Sequence, residues 1–310
     1  MKVWLLHLVL IAALFAAQFL LSPYHATNLA RIMVLAVFAM GYNLAFGYTG
    51  LLSLGHALLF AAGMYAAGLS AQILGLTAGP ALILGILGGG LLAAAVGLLA
   101  LRTAGVSFMI VTLMFAQAGY LTILYFGATT GGDEGFTLPA ASRSIAGFDL
   151  STDTPRFLAA LALFGAGLLA SLAIVRSPFG RTMVAIRENE ERSRMLGYNP
   201  FAIKLAALVI SGLYVGAAGA AYALLFGYAG ASFATIQYSI LPMLYVLLGG
   251  AGTTLGPFLG AALMFALIEA ASGLTSAYLF FVGAALVALV LFAPKGILGT
   301  IRERWVKWLP

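Results

Sequence analysis

Long apolar segments separated by short polar ones recur along the whole chain. Each apolar segment is close to the length that a helix needs to cross a hydrocarbon core of ~30 Å. Helices are expected throughout, because an isolated strand would leave its backbone hydrogen-bonding groups unsatisfied in lipid. The pattern therefore predicts an all-α integral membrane protein with about ten transmembrane helices, forming a single polytopic domain over residues 1–310. The predicted spans are residues 3–21, 29–46, 52–72, 81–101, 105–126, 157–175, 202–226, 236–250, 255–272 and 276–293.

The composition excludes a soluble domain. Hydrophobic residues make up 63% of the chain and charged residues only 8%, whereas soluble domains carry about 25% charged residues. The chain has no cysteine, so neither disulfides nor thiolate chemistry are available to it. The N-terminal segment resembles a signal peptide, but residues 20–24 offer no convincing small-residue cleavage site. We interpret this segment as a retained first span.

Basic residues concentrate at places that ten spans would put on one side of the membrane. These are the loop 176–204, the C-terminal tail, Arg102 and Lys2. The positive-inside rule makes this side cytoplasmic, so both termini are expected there, and the net charge of +6 reflects topology rather than nucleic-acid binding. The acidic loop 127–156 then lies outside. Arg31 is a mild exception at the outer end of the second span, from which its side chain can snorkel to the interface.

Two blocks rich in glycine and polar residues interrupt the apolar pattern, at 41–56 and 249–257. Each contains the sequence Leu-Gly-x-x-Leu, which begins at Leu54 and at Leu255. Two halves of five spans would have opposite orientations, as in transporters built from inverted repeats. The shared Leu-Gly-x-x-Leu sequence is compatible with a 5+5 inverted repeat but is too short to establish one. Elsewhere, as at Gly63, small residues are expected to serve close helix packing.

The loop 176–204 has the signals of a capped helix. Ser177 followed by a proline suits an N-cap and first helical position, and Gly197 followed by a proline three residues later suits a C-terminal stop. Glu–Arg pairs at i,i+4 spacing, starting at Glu188 and Glu190, would add ~0.3 kcal/mol each. We therefore expect a helix at the aqueous surface on which another protein can dock. The alternative is a solvated loop with self-paired charges, although a tether needs neither this length nor both caps.

No enzyme or metal site is apparent in the sequence. The three histidines are scattered without the spacing of metal ligands, and no nucleophile elbow occurs. The chain also lacks the phosphate-binding pattern Gly-x-x-x-x-Gly-Lys-Ser/Thr, so it cannot itself bind ATP in the P-loop manner. We therefore expect that the chain is not an enzyme and needs no cofactor.

Polar residues within the predicted spans are candidates for lining a translocation path. Each also has a structural interpretation: an intramembrane carboxylate can pair locally near a helix end, a histidine can be satisfied in the core, and amides can bridge helices. For Glu269, the only carboxylate well inside a span, both readings stay open. The path candidates are Asn43, Ser53, His56, Gln117 and Glu269.

Several segments carry motifs that occur together in one family. They are Tyr42-Asn43-Leu44 with residues 47–56, then residues 108–113, 130–135, 177–198, 249–257 and 292–297. In combination these segments resemble the permease subunits of bacterial branched-chain amino acid ABC importers, of the LivM type. The resemblance covers nearly the whole chain, and the combination of motifs is specific.

This resemblance implies an integral permease that pairs with a second, similar permease, with a heterodimer expected. Two cytoplasmic ATPase subunits would power transport, and an external binding protein would deliver the substrate. Residues 191–197 correspond to the family's Glu-Ala-Ala…Gly loop, which docks in a groove on the ATPase, with Arg192 and Ser193 in place of the alanines. The implied docking residues are Arg187, Glu188, Asn189, Glu190, Glu191, Arg192 and Gly197.

The implied function is ATP-driven import of leucine, isoleucine and valine across the bacterial inner membrane. Related permeases carry urea, short amides or aromatic acids, and the apolar path expected here would suit urea equally well. An autonomous secondary transporter or channel is the competing class, but ion coupling usually needs paired ionisable groups in the membrane. A membrane-embedded enzyme is third and lacks any ligand cluster.

Overall fold

The computed structural model describes residues 2–145, 147–272, 280, 283, 284, 287, 291 and 295–304. Over these residues the chain is almost entirely helical. The helices are α1 (Lys2–Ala17), α2 (Pro23–Asn43), α3 (His56–Ile73), α4 (Ala78–Ala100), α5 (Gly105–Tyr125), α6 (Gly127–Thr130), α7 (Asp153–Arg176), α8 (Pro178–Glu188), α9 (Glu190–Met195), α10 (Pro200–Phe226), α11 (Ile236–Gly249), α12 (Gly256–Ser272) and α13 (Gly296–Arg304). The strands are β1 (Phe136–Thr137), β2 (Ser144–Ile145), β3 (Phe148–Asp149) and β4 (Tyr228–Ala229), paired antiparallel as β1 with β4 and β2 with β3.

Six helical segments among the described residues are long and apolar enough to cross a membrane, so the chain is a multi-pass helical membrane protein. They are α2 with its extension to Tyr48, α3, α4, α5, α7 and α10. Helix α11 has 14 residues, which corresponds to about 21 Å and is less than a full crossing. Helix α12 reaches Ser272, the last described residue before a gap. The first apolar helix ends at Ala17 instead of residue 21. The predicted span 276–293 lies almost wholly outside the described residues, so the count of ten stays a prediction.

Close packing of glycines brings α3, α4 and α10 together at the centre of the bundle. A Cβ atom added to Gly63 would lie 2.5 Å from the Cα of Gly216, and one added to Gly89 would lie 2.6 Å from the same atom. Neither position has room for a side chain, because real Cβ contacts are not this short. The packing interpretation of these small residues is therefore confirmed. Helix α2 is buried against this group along its C-terminal half.

The first glycine-rich block is a helix break rather than the start of a span. Helix α2 continues as a π-helical segment, Leu44–Tyr48, and the chain then runs without helical structure until His56. The predicted span 52–72 is therefore helical only from His56 onward. The amide of Leu54 in the break donates a hydrogen bond to Thr112 Oγ1 at 3.1 Å. Non-helical backbone is tolerated at membrane depth when protein groups satisfy it in this way.

The predicted external loop is an ordered cap on the bundle. Residues 127–152 contain α6, β1, β2 and β3, and β1 pairs with β4, which follows α10. The guanidinium of Arg143 donates hydrogen bonds to the carbonyl oxygens of Leu224 and Leu225, both at 2.7 Å. These carbonyls belong to the last turn of α10, where backbone oxygens lack helical partners. The loop is thereby fixed to the end of α10.

Candidate functional site

The segment 177–199, for which a cytoplasmic location is predicted, folds as two short helices rather than the single helix that its sequence predicts. Asn189 separates α8 from α9 with an extended backbone, φ −159° and ψ 103°. Its side-chain oxygen accepts a hydrogen bond from the amide of Arg192 at 2.9 Å and so caps α9. Asparagine competes with the helical backbone through such local bonds. We call residues 177–199 the docking segment.

Both predicted ends of the docking segment are confirmed. Ser177 Oγ accepts a hydrogen bond from the amide of Gly180 at 3.2 Å, as an N-cap does. Gly197 adopts a left-handed conformation with φ 89°. The amide of Tyr198 then reaches back to the carbonyl oxygen of Ser193 at 3.2 Å, which is the Schellman closure of a helix. The segment is therefore terminated at both ends by specific hydrogen bonds.

The charges of the docking segment are partly engaged within the chain. Glu190 pairs with Arg194 at 3.5 Å, as predicted, and also with Lys204 at the start of α10. Glu188 instead pairs with its neighbour Arg187 at 2.7 Å. The predicted pair from Glu188 to the arginine four residues later does not form, because the break removes their helical relation. The side chains of Glu191 and Arg192 are exposed.

The apolar residues of the docking segment face two different ways. Met183 and Ile186 on α8 are buried against the bundle. Met195 and Leu196, in contrast, are 85% and 70% exposed. Exposed apolar residues that cluster at a surface are typical of a protein-interaction site. We call this cluster the apolar tip, and it comprises Met195, Leu196, Tyr198 and Phe201.

Arg187 is directed toward the membrane domain. Its Nη1 donates a hydrogen bond to the carbonyl oxygen of Gly47 in the π-helical segment. Its methylene stem packs at Gly50, where an added Cβ would lie 2.9 Å from Arg187 Cγ. Gly50 has φ 78°, a conformation that glycine adopts without steric cost. The docking segment therefore touches the first helix break directly.

Asn43 joins the two glycine-rich blocks. Its Nδ2 donates to the carbonyl oxygen of Thr253, and its Oδ1 accepts from the amide of Gly252, both at 2.9 Å. A Cβ added to Gly47 would lie 2.6 Å from the same amide nitrogen, so the two backbones are in contact. These two hydrogen bonds of Asn43, a path candidate, join α2 to the turn before α12. We call the meeting point the break junction, formed by residues 44–50 and 249–253.

Ser53 and His56 hold the other end of the first break. Ser53 Oγ accepts a hydrogen bond from the amide of Gly55 at 3.1 Å. His56 is fully buried, its Nε2 lies 3.0 Å from Ser211 Oγ on α10, and the ring of Tyr42 meets it edge-on at 4.7 Å between centroids. The Nδ1 atom of His56 is buried without a hydrogen-bond partner among the described residues, so the ring is only half satisfied in the core. A path role for either remains a prediction.

The last two path candidates lie away from the break junction. Gln117 is half-buried on α5, and its side chain makes no hydrogen bond within the part of the chain that the structure describes. Glu269 is exposed on α12, where the hydroxyl of Tyr24 donates to it at 3.0 Å. Tyr24 is the second residue of α2, so Glu269 lies level with the start of that helix. This contact matches the structural interpretation of Glu269, and a path role for it remains a prediction.

A cavity of about 600 Å³ lies between the ends of α2, α7 and α12. Arg31 lies on this cavity, and its guanidinium also stacks over the ring of Phe226 at 5.2 Å. The sequence predicted only that the side chain of Arg31 could snorkel to the interface. It did not show that Arg31 lines the same cavity as two carboxylates from distant helices. Among the described residues no ion pair joins Arg31 to either of them. The residues that line this cavity include Arg31, Asp153, Phe265, Ile268 and Glu269.

Basic residues from separate parts of the chain converge around the docking segment. Arg187, Lys295 and Arg302 line one cavity of about 500 Å³ beside the break junction. Arg302 donates to the carbonyl oxygen of Gly252 at 3.4 Å. A second cavity of about 570 Å³ brings Arg102, in the turn between α4 and α5, next to the docking segment. The docking segment, this turn and α13 therefore lie at the same end of the molecule.

Comparisons with known proteins agree with this architecture. The family model for the branched-chain amino acid transport system permease component matches residues 25–293. The high-affinity branched-chain amino acid transport system permease protein LivM of Salmonella typhimurium strain LT2 is 28% identical over 330 aligned residues, covering 98% of this chain and 76% of that protein. The protein of the same name from Escherichia coli K12 is 29% identical over 329 residues, with the same coverage. No solved structure matches the chain.

The family match includes both glycine-rich blocks, the docking segment and the ordered cap 127–152. It therefore covers every element that meets at the break junction except α13 and the residues before position 25. The chain belongs to the family of branched-chain amino acid transport system permease components.

Proposed function

We propose that this chain is the transmembrane permease subunit of an ATP-driven importer of branched-chain amino acids in the bacterial inner membrane. Family membership supports this proposal, and both curated relatives carry branched-chain amino acid transport in their names. The proposed assembly pairs this permease with a second, homologous permease as a heterodimer. Two cytoplasmic ATPase subunits supply the energy, and an external binding protein supplies the substrate.

The observation that carries the proposal is the contact between the docking segment and the first helix break. A carrier that works without partner subunits does not need a capped, surface-exposed segment. Here it ends in an apolar tip that faces away from the bundle, while Arg187 on the same segment binds the carbonyl of Gly47 inside it. A force applied at the tip therefore has a direct route to the membrane domain.

The proposed topology has ten spans with both termini in the cytoplasm. The convergence of Arg102, Lys295 and Arg302 on the docking segment supports it, because the positive-inside rule assigns such clusters to the cytoplasm. Helix α1 is tied to the same end, since His7 Nε2 lies 2.9 Å from Thr254 Oγ1 beside the break junction. The ordered cap 127–152 then faces outward, where a binding protein can reach it.

The docking contacts divide into two groups in this proposal. Glu191, Arg192 and the apolar tip are exposed and are proposed to bind the ATPase. Glu188 and Glu190 are already paired within the chain, and Asn189 and Gly197 shape the segment. ATP binding draws the two ATPases together and displaces both docking segments. The spans attached to them then alternate between outward-open and inward-open arrangements.

The cavity between the ends of α2, α7 and α12 supports an amino acid as the substrate over urea. An amino acid carries a carboxylate, an ammonium group and, in this class, a branched apolar side chain. Arg31 matches the carboxylate, Asp153 and Glu269 match the ammonium group, and Phe265 with Ile268 offer an apolar wall. Urea is uncharged and has no use for separated charges of opposite sign.

Transport by the complete assembly in proteoliposomes tests the proposal. With ATP on the cytoplasmic side and the binding protein on the other, radiolabelled leucine is expected to accumulate and radiolabelled urea is not. Omission of ATP, of the ATPases or of the binding protein is each expected to reduce leucine uptake to the level of empty vesicles. Leucine flux through vesicles that contain the permeases alone would contradict the proposal.

A further inference from the structure

Arg187 lies where the two halves of the break junction meet. Its Nη1 donates to the carbonyl oxygen of Gly47, and a Cβ built on Gly252 would lie 3.3 Å from the same nitrogen. Its stem lies against Gly50. One side chain from the last turn of α8 therefore bonds the first loop and lies beside a second loop some 200 residues away in sequence, as the hydrogen bond between Asn43 and Gly252 spans 209 positions.

The break junction is packed tightly enough to pass on a displacement. Gly47 and Gly252 are in backbone contact, and Asn43 bonds the second loop through both the nitrogen and the oxygen of its side-chain amide. Close-packed interiors have low compressibility and transmit strain. A shift of Gly47 therefore cannot be absorbed locally and must move the turn between α11 and α12.

We propose that Arg187 is a positioning residue through which movement of the docking segment opens and closes the cytoplasmic end of the path at the break junction. The inference rests on the proposed function. While α8 is seated, Arg187 binds the first break beside its contact with the second. When the ATPases displace α8, this bond pulls Gly47, and the turn between α11 and α12 moves with it through the bonds of Asn43.

The chemistry of arginine suits this role better than that of lysine. The guanidinium is planar and presents several donors in a fixed fork. Nη1 serves Gly47 while Nη2 pairs with Glu188 at 2.7 Å, so Glu188 orients the group. A lysine ammonium is a single point charge on a flexible stem and cannot hold both partners in one geometry.

A direct contact of Arg187 with the ATPase is the competing role. The side chain is 37% exposed, and both terminal nitrogens are engaged within the chain. Arg181 on the same helix is exposed, and its side chain makes no hydrogen bond or ion pair within the described residues. It offers a matched control, since its replacement changes the charge of α8 without touching either break.

The test uses the complete transporter in proteoliposomes, with the variants Arg187→Gln, Arg187→Lys and Arg181→Gln. Three quantities are measured: the ATPase content after purification, the ATP hydrolysis rate and the leucine uptake per ATP hydrolysed. Arg187→Gln is expected to keep the ATPases bound and hydrolysing while uptake per ATP falls about tenfold, within the usual range of coupling free energies. Uptake per ATP in Arg187→Lys is expected to lie between the values for Arg187→Gln and the native protein. Uptake per ATP in Arg181→Gln is expected to match that of the native protein.

Two results would overturn the inference and leave the proposed function standing. Native uptake per ATP in Arg187→Gln would show that the contact does not transmit motion. Loss of the ATPase subunits from Arg187→Gln would make this arginine a docking contact instead. Absence of ATP-dependent uptake in the native assembly would be the separate failure of the proposed function.

A second measurement reports on the junction itself and does not depend on transport. The chain has no cysteine, so a single cysteine at Ala251, an exposed position in the second break, can be labelled selectively. The labelling rate by a soluble maleimide is expected to change when a non-hydrolysable ATP analogue locks the ATPases together. In the Arg187→Gln background this change is expected to disappear. An equal change in both backgrounds would refute the role of Arg187.

Discussion

Asn43 shows how much depends on one buried amide in this molecule. Replacing it with alanine removes both bonds to the second break and leaves the amide of Gly252 and the carbonyl of Thr253 without these partners. An unsatisfied buried group costs about 1–3 kcal/mol. We therefore expect Asn43→Ala to lower the thermal unfolding temperature of the purified protein in detergent, followed by tryptophan fluorescence.

Ser53→Ala is the control for this prediction. Ser53 is equally buried in the same glycine-rich block, but its hydroxyl bonds only to the amide of Gly55, two positions away. Its removal leaves the contact between the two breaks intact, so a smaller decrease in unfolding temperature is expected. Equal decreases in unfolding temperature in the two variants would show that Asn43 has no special role in joining the two breaks.

At the scale of elements, the glycines between α3, α4 and α10 set how closely these helices approach. Gly63→Ala places a methyl group against the backbone of Gly216, where rigid main-chain atoms cannot give way. Gly79→Ala, on α4, places the same methyl group in open space and favours the helix by up to about 1 kcal/mol. The fraction of monodisperse protein in size-exclusion chromatography is expected to fall for Gly63→Ala and to be unchanged for Gly79→Ala. Similar elution of both variants would contradict the packing argument.

The apolar pattern of the sequence was enough to place most helices, because a membrane span needs length and hydrophobicity more than particular residues. It also located both breaks as glycine-rich blocks. It could not show that the span predicted from residue 52 becomes helical only at His56. That boundary depends on the hydroxyl group of Thr112 on another helix, which accepts a hydrogen bond from the freed amide of Leu54.

The docking segment shows the same division on a smaller scale. Its ends followed from local rules, since Ser177 and Gly197 act within their own turns. Its interior did not, because Asn189 was equally acceptable as an exposed helical residue and as a cap. The direction of Arg187 was also hidden, since its partner Gly47 lies 140 positions away. Local sequence signals determine where elements end. Contacts between residues distant in sequence decide which side chains point toward the membrane domain.

At the scale of the whole molecule, charge and exposure separate the two ends of the bundle. Described helices expose large apolar side chains along their length, as at Leu91 and Met114, which suits contact with lipid. The apolar tip lies instead at the end that carries the converging basic residues. Exposed apolar residues in water are unfavourable unless a partner covers them. The ATPase is the partner that we propose for this position.

The double variant Met195→Asp with Leu196→Asp tests this surface at the scale of the assembly. Both side chains are largely exposed in the described structure, so charge there is tolerated by the permease but opposes burial in an apolar groove. We expect the variant to insert and purify normally while its ATPase subunits no longer co-purify. Leu74→Asp is the control, because Leu74 is 67% exposed in the turn between α3 and α4, at the other end of the molecule. A double variant that retains the native amount of ATPase would remove the apolar tip from the docking surface.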